Sequence, residues 1–368
     1  MNTPRVLDVD LGDRSYPIVV GSGLLNSAAD RIHERIPATS AALVTHPHLA
    51  RRYGGSILEG FARRGVRAET ILIPPGERFK NLSTMARLYD RMVDARLDRR
   101  SVLVTLGGGV LGDVGGFAAA TFLRGIAFVQ IPTTLLAQVD ASVGGKTGVD
   151  LRSGKNLVGS FHQPAAVIVD TDTLASLPAR ELRSGLAEII KYGIIRDRGF
   201  FELIENSAPS ILALHQEPLT HAICRSCEIK AEVVSADETE TGRRAILNFG
   251  HTIGHALEVA TGYRRYKHGE AVAIGMVSAA LIGEEIGFTP TEVAERLRGT
   301  LALAGLPSAF PKDVPIHAIR DAALRDKKTV GGQLRFVLAS SIGCVEIGKD
   351  VPFEAVEAAL ARQCKLPA

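Results

Sequence analysis

The stretch SVLVTLGGGVLGDVGGFAAA, residues 101–120, constrains the fold more than any other. An apolar strand-length run leads into Gly107, Gly109 and Gly112, and a small-residue helical run follows. A GxGxxG turn between a strand and a helix lets the backbone approach a pyrophosphate, whose charge suits the helix N-terminus. The same glycines also serve tight strand-to-helix packing, so the turn alone does not decide between the two uses. It does not open the first strand–helix–strand unit, as the usual dinucleotide fingerprint does, which points to a variant of that fold.

The surroundings fit such a turn. SAALVT, AETILIPPG, IAFVQIPTT and AAVIVDT read as strands, and NLSTMARLYDRMVDARL reads as an amphipathic helix. Alternation of this kind predicts βαβ units and a mostly parallel sheet. The N-terminal MNTPRVLDVDLGDRSYPIVVGSG adds two short strands joined at LGDRS. From about Leu182 the pattern takes a helical period, apart from QLRFVLASSIGCVEIG near the end. The expectation is an α/β N-terminal domain with a Rossmann-like parallel sheet, residues 1–179, and a mainly α-helical metal-binding domain, residues 180–368.

Composition excludes several classes. The chain has 368 residues, 46% hydrophobic and 23% charged, as in ordinary globular proteins. A net charge of +3 does not argue for nucleic acid. The four cysteines do not form a disulfide framework in a chain this long, and the CxxC of Cys224 and Cys227 has no second pair to complete a zinc site. AVAIGMVSAALIG, residues 271–283, is the most apolar segment and is too short to span a bilayer. No apolar run of signal-peptide length opens the chain. These readings place it in the cytoplasm, with no membrane and no nucleic-acid partner.

DASVGGKTG resembles a P-loop, but Asp140 stands where a Walker loop needs glycine, which removes ATPase and GTPase chemistry. Lys146 then sits on a glycine turn, with Lys155 and Asn156 close behind in SGKNLVG. Two lysines beside glycines suit an anion; the plainer alternative is a solvated basic loop.

Further on, Glu188 and Lys191 share one helix face in SGLAEIIKYG. An inward carboxylate needs a partner. Either Lys191 supplies it in an ion pair, or Glu188 ligates a metal and Lys191 holds an anion. His251, His255 and His268 follow within eighteen residues. One Glu with two His is a catalytic zinc set that leaves a position open for substrate. Thr252 follows His251 where a zinc protease needs Glu, so proteolysis is excluded.

In order along the chain stand GGGVLGD, IPTTLLAQVDASVGGKTGVD, GKNLVGSFHQP, LPARELRSGLAEIIKYG, KAEVVSADETETGRRAILNFGHTIGHALE, HGEAVAIGM and RDKK. This combination closely resembles the 3-dehydroquinate synthase family of sugar-phosphate cyclases, from about residue 70 to 345. The resemblance implies an NAD-binding α/β domain joined to a helical metal domain, a homodimer, and a divalent metal, zinc or cobalt. It implies Glu188, His251 and His268 as ligands, with His255 beside the leaving phosphate as a proton relay. Lys146, Asn156, Lys191, Asn248 and His255 surround that phosphate, and Arg124 reaches a neighbouring subunit's site. Lys230 and Arg244 hold the substrate carboxylate, and Lys328, in preference to Lys327, closes over the phosphate. For NAD the matched positions are Glu77, Lys80, Gly109, Val110, Leu111, Gly112, Asp113, Thr133, Thr134, Asp140, Lys146 and Lys155. His46 departs from the Asp or Asn that the family commonly carries after the strand AALVT.

The implied reaction belongs to the shikimate pathway and to aromatic amino-acid biosynthesis. It converts 3-deoxy-D-arabino-heptulosonate 7-phosphate to 3-dehydroquinate and phosphate. The steps are transient oxidation by NAD, phosphate elimination, reduction, ring opening and aldol closure, which make a phosphate-eliminating lyase. Metal-dependent alcohol dehydrogenases of the glycerol dehydrogenase type share the two-domain plan but need no cage of lysines. Cyclases acting on sugar phosphates without a carboxylate leave Lys230 and Arg244 with less to do.

Overall fold

The structure is a computed structural model that describes residues 3–240, 242–325 and 335–367. Lys327 and Lys328 lie outside the described residues. The chain divides into two compact units. The first comprises Met1–Leu177 with Lys230–Ser235, and the second Pro178–Ile229 with Ala236–Ala368.

The first unit is built on a seven-stranded sheet. Its strands are β1 (Arg5–Val9), β2 (Tyr16–Gly21), β3 (Ser40–Thr45), β4 (Arg67–Leu72), β5 (Val102–Gly107), β6 (Ala127–Pro132) and a later strand, Ala166–Asp170. Between the last two the chain forms an antiparallel hairpin, β7 (Lys146–Leu151) with β8 (Gly154–Phe161), so Ala166–Asp170 is β9. The sheet order is β1-β2-β9-β6-β5-β3-β4. All neighbours are parallel except β1 and β2. Central strands are apolar throughout because both sheet faces are covered. Leu43, Val104 and Leu106 pack on one face with Ile32, Ile57 and Phe61. Val44 and Leu103 pack on the other with Met85, Leu88, Val114 and Phe128.

The order reverses between β3 and β5: β4 lies outside β3, and the next strand pairs on β3's other side. Parallel α/β sheets bind ligands at the carboxyl ends of strands at such a point. The glycine turn occupies it. Gly107 ends β5, and the helix Gly109–Thr121 begins two residues later. A Cβ on Gly115 would collide with the Thr105 methyl, so the helix is seated closer to the sheet than any larger residue allows.

The hairpin bears on the plainer alternative of a basic loop: Lys146, Lys155 and Asn156 stand on paired strands. Thr147, Val149 and Leu151 alternate along β7 and give it strand character. Gly144 and Gly145, both at positive φ, make the turn that leads in.

The second unit is mainly helical. Its helices are Ala179–Arg196, Arg198–Leu212, the body of Gln216–Ala236, His251–Ala260, His268–Glu285, Thr291–Leu303, Ile316–Arg325 and Phe353–Gln363. An antiparallel hairpin, Arg335–Ser341 with Cys344–Asp350, accounts for the late strand signal. The apolar segment around Val277 is the buried core of His268–Glu285. Cys224 and Cys227 are buried and joined in no disulfide. Among the described residues no helix is long and apolar enough to cross a membrane.

Candidate functional site

In the first unit, charged side chains gather around the glycine turn. Lys80 Nζ lies 2.5 Å from both Asp113 Oδ2 and Asn156 Oδ1. Asn156 is held for this contact in a left-handed conformation, φ 53°, with its N–H donating to Asp150 Oδ1 at 2.8 Å. Burial pushes the Asp113 carboxyl up, and Lys80 only partly offsets it, leaving the group at about 6. Burial by itself lowers Lys80, yet Asp113 and Glu77 raise it overall. Lys155 pairs with Glu77 at 3.2 Å. The Thr133 N–H donates to the Gly107 carbonyl at 3.0 Å, and Thr134 Oγ1 accepts from Ala137 N at 3.1 Å, so both threonines brace the turn's neighbour. Lys230 Nζ reaches Asp140 twice, at 2.5 Å to its carbonyl and 2.6 Å to its carboxylate. Leu123 and Arg124 are consecutive residues at positive φ, 51° and 69°, at the end of the glycine-turn helix. Two such conformations in a row are costly for side-chain-bearing residues and are kept where position matters.

His46 follows the last residue of β3, whose Thr45 pairs with Leu106 of β5. Its Nδ1 lies 2.8 Å from the Ile73 carbonyl, and His48 stacks on it at 5.7 Å. A carbonyl only accepts, so Nδ1 carries the proton. Burial pushes the imidazole below its usual value, and the neutral ring offers Nε2 as one acceptor.

In the second unit the metal candidates meet. Glu188 projects from the helix Ala179–Arg196 and is fully buried. His251 opens the helix His251–Ala260, and His268 opens His268–Glu285. Their positions follow from backbone contacts. Gly269 N donates to Ser184 Oγ at 2.9 Å, one turn before Glu188, and a Cβ on Gly269 would overlap the Ser184 carbonyl. Arg180 grips Glu270 with two bonds of 2.7 Å, and Glu270 caps Lys267 N at 2.9 Å. Gly250, at φ 78°, turns the chain into His251 while packed on Met276.

The result is one carboxylate facing two imidazoles. Glu188 Oε1 lies 3.7 Å from His251 Nε2 and 3.4 Å from His268 Nε2. One ligand atom from each of the three falls within 4.8 Å of the others. Lys191 Nζ pairs with Glu188 Oε2, but neither carboxylate oxygen makes a well-formed hydrogen bond. A divalent cation among these atoms would satisfy both the charge and the open lone pairs, so the residues fit a metal. Burial raises the Glu188 carboxyl, but Lys191 and His268 outweigh it and hold it at about 2. Burial and then Lys191 push His251 well below its usual value, so it is a neutral donor. Burial lowers His268 as well, yet Glu188 and Glu258 bring it up to about 10. Its proton supplies the positive charge that a cation would bring.

Around the cluster, the His255 ring centroid stands 5.1 Å from His251's and 5.9 Å from His268's. Asn248 ends the turn Arg243–Asn248 just before Gly250. Arg244 is 2% exposed; its Nη1 donates to the Glu238 carbonyl at 2.6 Å, and its N–H to Asp237 Oδ2 at 3.0 Å. The two expected carboxylate holders thus belong to different units: Lys230 groups with the first, Arg244 with the second. Lys191 pairs with Glu188, as the ion-pair alternative has it, and so lies beside the metal candidates. One member was missed. Glu258 Oε2 lies 3.4 Å from His268 Nδ1. The spacing His251, His255, Glu258 places all three on one helix face and is the signal that would have found it.

Comparison with known proteins bears on this arrangement. The family model described as 3-dehydroquinate synthase N-terminal matches residues 70–184, and that described as 3-dehydroquinate synthase C-terminal matches residues 185–329. The chain is 47% identical over 359 residues to a 3-dehydroquinate synthase of Synechococcus sp., covering 96% of this chain and 97% of that one. Among solved structures it resembles 2-deoxy-scyllo-inosose synthase complexed with carbaglucose-6-phosphate, NAD+ and Co2+, with a TM-score of 0.89 at 27% identity, covering 98% and 100% of the two chains. It also resembles 2-epi-5-epi-valiolone synthase from Streptomyces hygroscopicus with NAD+ and Zn2+ bound, with a TM-score of 0.86 at 29% identity over 97% and 98%.

Proposed function

The chain belongs to the 3-dehydroquinate synthase family, and from that premise we propose how its residues divide the work. The activity is conversion of 3-deoxy-D-arabino-heptulosonate 7-phosphate to 3-dehydroquinate and phosphate. It is a lyase reaction of aromatic amino-acid biosynthesis, and NAD is restored at the end of each turnover. The observation that carries the reading is a fully buried carboxylate, Glu188, facing the Nε2 atoms of His251 and His268.

These three residues hold the divalent metal, zinc or cobalt. When bound, it supplies Lewis acidity that lowers the pKa of a substrate hydroxyl. Gly109 to Asp113 would hold NAD by presenting the helix N-terminus to its pyrophosphate. NAD supplies a reversible hydride acceptor. Glu77, Lys80, Thr133, Thr134, Asp140, Lys146 and Lys155 line that cofactor site. The Lys80–Asp113–Asn156 network fixes the ammonium beside the turn, which leaves it pre-organised rather than recruited on binding.

Lys146, Asn156, Lys191, Asn248 and His255 receive the substrate phosphate. Lys191 also neutralises Glu188, so one ammonium stabilises both a ligand and a leaving anion. His255 holds the proton that the departing phosphate exchanges. Arg244 and Lys230 take the carboxylate, and the guanidinium does so through a planar fork. Arg124, held at positive φ, reaches the phosphate site of a second copy in a homodimer. A cytoplasmic location completes the reading.

The test is phosphate release from the heptulosonate phosphate by protein stripped of nucleotide with charcoal. Activity returns with substoichiometric NAD+, and no net NADH accumulates. Stoichiometric NADH would show a dehydrogenase instead.

A further inference from the structure

The two metal-facing histidines are oriented by different acceptors. His251 Nδ1 lies 3.1 Å from the Phe249 carbonyl, a neutral acceptor two residues away. His268 Nδ1 lies 3.4 Å from the Glu258 carboxylate, ten residues back on a separate helix. In each ring the other nitrogen, Nε2, faces Glu188. A carbonyl or carboxylate at Nδ1 keeps a proton there, so Nε2 is the nitrogen that would ligate a metal.

We propose that Glu258 is a positioning residue for the metal site: its carboxylate accepts the Nδ1 proton of His268, fixes the ring's tautomer and orientation, and strengthens Nε2 as a ligand. The inference rests on the assignment of His268 as a ligand. Three observations carry it. Glu258 is 8% exposed, so its charge is not spent on solvent. It comes from the helix that opens with His251, so one rigid element carries a ligand at its first residue and the orienting group two turns on. That helix is seated tightly on His268–Glu285, since a Cβ on Gly254 would press on the Ala271 carbonyl at 3.0 Å. The reach from Glu258 to His268 is thereby set by backbone packing.

A second use of the same atoms is a separate cation site, because His255, Glu258 and His268 also offer ligand atoms within 4.8 Å of one another. Orientation is favoured, since His268 Nε2 is already directed at Glu188 and a separate site would need its Nδ1 deprotonated as well.

The experiment measures Co2+ affinity by competition with a chelator, on metal-free protein without substrate, for the unaltered chain, Glu258→Leu, Glu258→Gln and His268→Ala. Glu258→Leu weakens binding about 10- to 100-fold. Glu258→Gln, which retains a carbonyl acceptor, restores part of that loss. With Co2+ saturating, kcat falls less than affinity does. His268→Ala tests the underlying assignment: if it keeps the metal, the ligand reading fails first. If it loses the metal while Glu258→Leu binds within about twofold of the unaltered chain, only the positioning role is overturned. Should Glu258→Leu fail to fold, 15N-histidine NMR of the unaltered chain loaded with Cd2+ decides. Protonated Nδ1 and cadmium-coupled Nε2 on His268 support the proposal; the reverse assignment, or two bound ions per chain, overturns it.

Discussion

The two units build their candidate sites from different materials. The first presents backbone: a glycine turn at the carboxyl end of β5, flanked by the end of β3. The second presents side chains: Glu188, His251 and His268 from three separate helices. A backbone site tolerates changes in the residues around it, because N–H groups and a helix dipole belong to no particular side chain. A side-chain site fails with any one member. Four outcomes would break or sharpen that comparison.

The largest effect belongs to the second unit. His251→Ala should strip the bound metal. Its catalytic contribution of several kcal/mol corresponds to a loss on the order of a thousandfold in kcat. Metal analysis and kcat are read together; full metal retention would mean that the helical unit does not depend on this side chain.

Arg244→Lys comes next. It retains charge but loses the fork, and a charge-assisted contact is worth about 1.5–3 kcal/mol, roughly 10- to 150-fold in kcat/KM. Thermal melting serves as the folding control. An unchanged kcat/KM in a stable variant would remove Arg244 from the substrate site and reopen the choice among sugar-phosphate cyclases.

The units also differ in the sign of their pH response. Asp113 stands at about 6 when folded against an ordinary 3.8. The fold binds its proton more tightly, so its contribution is fully present below pH 3.8 and is lost as pH rises through about 6. Glu188 stands at about 2 against an ordinary 4.5. Its contribution is present above pH 4.5 and is lost as pH falls through about 2. In metal-free protein, Asp113→Asn should therefore gain stability relative to the unaltered chain across the first window as pH rises. Glu188→Gln should lose relative stability across the second as pH rises. Each change is on the order of 1–3 kcal/mol. Denaturant melts at a series of pH values measure both, and slopes of the same sign would refute the contrast.

The smallest effect is at His46. Neutral Nε2 accepts one hydrogen bond, where a carboxylate accepts two from a ribose. His46→Asp should tighten NAD+ binding by about one hydrogen bond, roughly three- to tenfold. Titration calorimetry decides; no change would place the adenosine ribose away from the end of β3.

Much of this was legible in the residues alone. The alternation of strand and helix through the first half, the shift to helical period near Leu182 and the glycine turn all rest on local periodicity and backbone chemistry, which a sequence states directly. The β7–β8 hairpin was not legible, because its glycines and lysines read as an anion-binding turn or a solvated basic loop. Glu188, His251 and His268 could be named because each lies in a recognisable local pattern. The sequence could not say that Glu258 turns to His268, that Lys80 joins Asp113 and Asn156 across 33 and 76 residues, or which nitrogen of His46 carries the proton. Those were decided by tertiary structure. Each depends on the separation and rotation of whole elements, set by close contacts such as Gly269 on Ser184 and Gly254 on Ala271. Periodicity fixes which face of a helix is buried, whereas only the packed fold fixes what that face meets.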